Sequence, residues 1–167
     1  MKSRIYKTPL GKFEEAQYPG GNFSGKYPLN DYVIILFDRA PEKTEGGIFL
    51  SDDTKENNTY ASEAGVLIEA GDGAFKWSAD RQRPFEGRKP GPGDRVYFER
   101  YAGAVIHGED GLEYRLMEDR CVAAIASEPV RVYLKHLPGE GIVETTKEDS
   151  EATARLLGAK LPDPEAA

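Results

Sequence analysis

"YVIILF", residues 32–37, is six apolar residues in an unbroken run. Its length suits a strand better than a helix, and β-branched and aromatic side chains dominate it. Reading outward, "AGVLIEAG" (64–71) is a second strand bounded by glycines, and "RVYF" (95–98) is a third, launched from the "GPGD" turn at 91–94. "GAVIHG" (103–108) and "LEYRLM" (112–117) flank Glu109-Asp110-Gly111, whose Asp-Gly pair is a strong hairpin signal. "CVAAI" (121–125) closes the series. Short strands separated by turn residues predict an all-β domain, an antiparallel sandwich or small barrel. The 18 glycines and 11 prolines fit that density of turns.

The flanks have a different character. Residues 1–28 show no sustained period and contain "YPGGNFSGKYP", which predicts an irregular N-terminal arm. The barrel domain is expected over 29–126 and a C-terminal extension over 127–167. Within that extension "VRVYL" (130–134) alternates as one strand does. Thr145 and Glu148 have the spacing of a capping box, and Ala152 and Leu156 share a helical face before Gly158. One strand and one short helix are therefore expected there, followed by the tail "KLPDPEAA".

A chain of 167 residues suits one domain with elaborations. Its net charge of −7 argues against a general nucleic-acid binder, which needs a cationic face, and against an anionic membrane surface. The charge is uneven: residues 1–28 hold five Lys/Arg against two Glu, and residues 127–167 hold five against eight Asp/Glu. No apolar run approaches the roughly 20 residues of a spanning helix, and the N-terminus lacks a signal-peptide core. The single cysteine, Cys121, allows no intrachain disulfide. A cytoplasmic protein is the expectation.

Catalytic chemistry is sparse. His107 and His136 are far apart with no ligand spacing, and Cys121 reads as a small buried hydrophobe at a strand start. One cysteine and two histidines cannot assemble a usual four-ligand thiolate–imidazole site. "GDGAFK" (71–76) lacks the Lys-Ser/Thr of a phosphate loop and the third glycine of a dinucleotide fingerprint. Asp52-Asp53 reads as a solvated turn. No enzyme, metal or cofactor is expected.

One segment fits neither strand nor plain turn: "EKTEGGIFLSDDTKENN", residues 42–58. Gly46-Gly47 makes the backbone permissive and costly to order. Residues 51–63 have too little apolar content to fix themselves to a core. Ile48-Phe49-Leu50 is then either a strand end tucked into the barrel or an apolar hook that orders on a partner. A hook of this kind is weak singly and strong when repeated around an oligomer.

"PLNDYVIILF", "EKTEGGIFLSD", "GVLIEAGDG", "GPGDRVYFERYAG" and "LEYRLMEDRCVAAI", in that order over residues 28–126, resemble the GroES co-chaperonin family. The likeness is to a divergent, phage-type member with N- and C-terminal extensions. It implies a small Greek-key β-barrel that assembles into a sevenfold dome. The dome caps a GroEL-type chaperonin ring in a nucleotide-dependent way and encloses an unfolded client. By the same resemblance, Gly46, Gly47, Ile48, Phe49 and Leu50 match the mobile loop that docks on the chaperonin. Residues 73–90 match the roof hairpin, and Tyr101 falls in the loop facing the cavity. Cys121–Ile125 match the closing strand that pairs with a neighbouring subunit.

Departures from the family pattern are Asn30-Asp31-Tyr32 in place of the usual Asp-Arg, a longer polar stretch after Leu50, and the bulk of Phe49. Residues 1–27 and 127–167 have no family counterpart. Those arms motivate an alternative, a virion structural subunit (capsid decoration or connector) that reuses the barrel.

Overall fold

The computed structural model describes residues 4–9, 11–41, 61–127, 133–137 and 141–157. Six strands form one antiparallel sheet: β3 (Tyr32–Phe37), β4 (Ala64–Ala70), β5 (Arg95–Phe98), β6 (Ala104–His107), β7 (Glu113–Glu118) and β8 (Val122–Ile125). Their spatial order is β6-β7-β3-β4-β5-β8. The chain thus lays β3, β4 and β5 side by side, crosses to the far edge for the β6–β7 hairpin, and returns through a 3-10 turn at Asp119–Cys121 to place β8 beside β5. Each of these strands covers one of the segments expected from the sequence.

The unbroken apolarity of "YVIILF" has a direct cause. Val33, Ile35 and Phe37 point inward and join Leu67, Val96, Phe98, Met117 and Phe75 in the barrel core. Ile34 and Leu36 point outward, yet they too are buried, in a second cluster with Val66, Ile68, Tyr114 and Tyr18. A strand covered on both faces has no polar alternation to display.

The cover over that outer face comes from both arms. The N-terminal arm, expected to be irregular, opens with a hairpin of β1 (Ile5–Thr8) and β2 (Gly11–Glu14) in register Tyr6↔Phe13. The Thr8 hydroxyl donates to Gly11 O across its turn, and the Tyr6 and Phe13 rings lie 6.0 Å apart. Two four-residue strands are too short to show a period. Further along, Tyr18 is fully buried against Tyr133, ring edge to ring face at 6.0 Å.

The C-terminal extension supplies Tyr133 from a second hairpin, β9 (Tyr133–Leu137) and β10 (Gly141–Thr145), followed by α1 (Lys147–Leu156). Two strands therefore stand where the sequence suggested one at 130–134. The helix cap is also shifted: Thr146, not Thr145, is the N-cap, its hydroxyl accepting from Asp149 N at 3.3 Å. The buried helix positions are Ser150 and Ala154, while Ala152 is exposed and Leu156 is 88% exposed. Close packing decides this. A Cβ on Gly20, whose φ is +91°, would lie 2.6 Å from Ser150 O, so the helix meets the arm backbone-to-backbone and only small side chains fit.

Candidate functional site

The predicted hook, Gly46-Gly47-Ile48-Phe49-Leu50, lies outside the described residues. What the structure places is the frame on either side of it. The chain leaves β3 through Asp38 and Arg39 and re-enters β4 through Ala61 and Ser62. Asp38 N donates to Ala64 O at 2.9 Å, holding the two stems together.

The Asp38 side chain is the centre of a buried polar network. Arg95 donates to both carboxylate oxygens, at 3.0 and 2.6 Å, Ala16 N donates to Oδ1 at 2.8 Å, and the Tyr6 hydroxyl donates to Oδ2. Burial, reinforced by the negative charge of Asp38, pushes the Tyr6 phenol well above its ordinary value, so it remains a donor. Burial alone would lower Arg95. Its hydrogen bonds to Asp38 outweigh that and hold the guanidinium firmly charged. Arg39 pairs with the arm through Glu14 N to Arg39 O at 2.7 Å and Arg39 N to Glu14 O at 3.2 Å.

Beside the other stem, Arg115 of β7 is fully buried with its guanidinium over the rings of Phe98 at 5.3 Å and Phe37 at 5.9 Å. Its Nη1 donates to Ser62 O at 2.9 Å. Delocalised charge stacked on aromatic faces makes arginine, rather than lysine, suited to such a place. None of these residues was singled out from the sequence. Asp38 and Arg95 are 57 positions apart, and a long-range ion pair leaves no local pattern.

Tyr101 is described and stands out at 62% exposed, in a left-handed conformation with φ +61°. It sits in a turn closed by Ala102 N donating to Glu99 O, and Gly103 follows at φ +71° where any Cβ would collide with Leu116 O. A large ring held outward on a constrained turn presents itself to whatever lies beyond the sheet.

Residues 73–90 form a compact excursion. Ser78 N donates to Arg83 O and Phe85 N to Lys76 O, and Phe75 anchors it in the core. Arg81 clips it down, reaching Asp31 and both oxygens of Asp119 at 2.7 and 3.2 Å. Burial by itself would raise Asp119. The Arg81 hydrogen bonds and the Phe75 N–H at 2.8 Å reverse this and hold its carboxyl below the ordinary range. Beside this excursion, β8 forms one end of the sheet and flanks a groove of about 420 Å³ lined by Phe75, Trp77, Phe85, Val122 and Ile125. Burial followed by the nearby Glu99 and Glu118 carboxylates raises the Cys121 thiol, which packs against the core. Among the described residues no group of three or more His, Cys, Asp or Glu is placed to hold a metal ion. No helix among them is long and apolar enough to cross a membrane.

The sequence model of the Chaperonin 10 Kd subunit family, Cpn10, matches residues 26–126, the stretch that builds the six-stranded sheet. The chain belongs to the Cpn10 family. Two relatives agree. The chain is 35% identical over 100 residues to the 20 kDa chaperonin, chloroplastic, of Arabidopsis thaliana, covering 60% of this chain and 36% of that protein. It is 34% identical over 98 residues to the Co-chaperonin GroES of Bacillus pumilus (strain SAFR-032), covering 59% of this chain and 95% of that one. The chain thus spans about a third of the first relative and nearly all of the second. The GroES-like fold expected from the motif order is the fold of this Cpn10 chain, and residues 1–25 and 127–167 lie outside the matched region.

Proposed function

We propose that this protein is a co-chaperonin, which caps a GroEL-type chaperonin ring when nucleotide is bound and encloses an unfolded client. The observation that carries the reading is topological. The segment with Ile48-Phe49-Leu50 is inserted between the adjacent strands β3 and β4 of a Cpn10 sheet, with its two stems hydrogen-bonded at Asp38 and Ala64. Such an insertion delivers an apolar tripeptide from a fixed base, and it is named as a partner-binding element by Gly46, Gly47, Ile48, Phe49 and Leu50. In this reading Tyr101 faces the enclosed cavity and the ring is a heptamer working in the cytoplasm. The edge strand β8 and its groove are where a neighbouring subunit adds on. The chemistry is mechanical confinement, with no catalysis and no cofactor in the cap itself.

Native mass spectrometry of the protein, alone and mixed with a bacterial GroEL-type chaperonin with and without ATP, tests this. A ring that attaches only with nucleotide is expected, and replacing Ile48, Phe49 and Leu50 by serine should abolish attachment while the circular dichroism spectrum stays unchanged. Attachment by the triple-serine variant refutes the role of that tripeptide. The alternative, a virion structural subunit, drew on the arms as extensions laid across neighbours. Where they are described, Tyr18 and Tyr133 pack instead on this chain's own sheet. The alternative predicts the protein in purified particles of its source, and its absence there would exclude it.

A further inference from the structure

Among the described residues Asp38 and Arg39 carry the last hydrogen-bonded backbone after β3, and the N-terminal arm grips both from the side. Tyr6 and Ala16 donate to the Asp38 carboxylate, and Glu14 exchanges two backbone hydrogen bonds with Arg39. That pairing is a single antiparallel bridge. The arm is itself clamped further on: Leu134 N donates to Tyr18 O at 2.9 Å, the Ser150 hydroxyl donates to Leu134 O, and Ser150 packs on Gly20. Contacts therefore run continuously from the C-terminal extension, through the arm, to the exit of β3.

This device is an addition to the family fold. The match to the Bacillus protein takes up 95% of that protein's length, which leaves no room in it for counterparts of both arms. The family match begins at residue 26, after the hairpin has ended.

We propose that the β1–β2 hairpin is a positioning element for the partner-binding segment: by gripping Asp38 and Arg39 it fixes where and in which direction that segment leaves the barrel. The inference rests on the reading of residues 46–50 given above. A stem that is already ordered leaves fewer residues to be immobilised when the apolar tripeptide engages the chaperonin ring, and each ordered backbone residue otherwise opposes binding. The C-terminal extension contributes at one remove, by keeping the arm in place.

Two full-length variants test the grip. Tyr6→Phe deletes one hydrogen bond to Asp38 and keeps the ring that packs on Phe13. Glu14→Pro deletes the N–H that donates to Arg39 O. Amide hydrogen exchange of the free protein is followed at Asp38 and Arg39, with Leu116 and Met117 of β7 as internal references. Dissociation of the ATP-dependent complex with a bacterial GroEL-type ring is followed in parallel. Exchange at Asp38 and Arg39 should quicken by about tenfold with the β7 amides unchanged, and the complex should dissociate several times faster. Unchanged exchange in both variants overturns the proposal, as does faster exchange with an unchanged dissociation rate. A wild-type chain that forms no complex sinks the co-chaperonin reading instead. The grip on the β3 exit is then decided by the exchange rates alone, quickening supporting it and constancy refuting it.

Discussion

Asp38 accepts four hydrogen bonds on two oxygens, from Arg95 twice, Ala16 and Tyr6, and this saturation is what makes a buried carboxylate tolerable. Asp38→Asn keeps the shape and removes the charge, leaving the Arg95 guanidinium buried without its counter-ion. A loss of about 3–5 kcal/mol in urea unfolding is expected, and a loss under 1 kcal/mol would show that Glu15, 3.9 Å from Arg95, takes over the pairing. Tyr18 presents the opposite case. Among the described residues its buried hydroxyl has no hydrogen-bond partner, so Tyr18→Phe should raise stability by up to about 1 kcal/mol. Asp119 sets a pH dependence. Its carboxyl is held below the ordinary value of about 4 in the folded chain. Its contribution to stability is therefore complete above that ordinary value and disappears as pH falls through the lowered folded one. The urea midpoint of the wild type should drop more steeply on the acid side of pH 4 than that of Asp119→Asn, and parallel profiles would show that the Arg81 clip adds nothing to stability.

At the scale of elements, closeness of backbone decides which residues are permitted. Gly20→Ala places a methyl 2.6 Å from Ser150 O in a left-handed conformation, and truncating Ser150 to alanine leaves that oxygen where it is. The substitution should cost about 1–3 kcal/mol and loosen α1, seen as faster exchange in 147–156, and the double variant with Ser150→Ala should not recover. The same close approach explains what the sequence conceals. β3 to β8 are legible because each is an apolar or alternating run stopped by Gly, Pro or Asp-Gly, so that composition and boundary agree. The helix is legible as an element but not in its facing. The choice of Ala152 and Leu156 assumes that large apolar residues point inward, whereas the surface it meets is the backbone at Gly20 and admits Ser150 and Ala154. The β1–β2 hairpin escapes notice for a related reason: its strands are short, and its tie to the barrel runs through Asp38 and Arg39, more than twenty positions away. Of the candidate site, the apolar tripeptide is visible in the chain as a local anomaly, whereas Tyr101 is picked out by the family resemblance alone. The contacts at the stems flanking the tripeptide's segment, Asp38–Arg95 and Arg115–Ser62, join distant residues and become visible only when the strands are placed.

For the whole molecule, the two arms and the sheet form one buried system. The residues matched by the Cpn10 family carry Ile34, Leu36, Val66, Ile68 and Tyr114 on the outer face, and Tyr18 and Tyr133 cover them from segments outside that match. A fragment cut to residues 26–126 would retain the inner core of Val33, Ile35, Phe37, Leu67 and Val96 and the whole six-stranded ladder, yet would expose a contiguous apolar patch. It would also lose Tyr6, Glu15 and Ala16 from around Asp38 and Arg95. Apolar surface of that kind drives association, because each Å² withdrawn from water is worth about 25 cal/mol. The fragment should therefore keep a β-type circular dichroism spectrum, bind a hydrophobic dye strongly and run on size exclusion with light scattering as heterogeneous aggregate. The full chain should bind the dye weakly and run as a discrete species. Co-expressing residues 127–167 with the fragment should not restore solubility, since Tyr18 is then still missing from between the sheet and Tyr133. A fragment 26–126 that is monodisperse and dye-silent would mean that the sheet shields its own outer face and that the arms are accessories to it, not the other half of its packing.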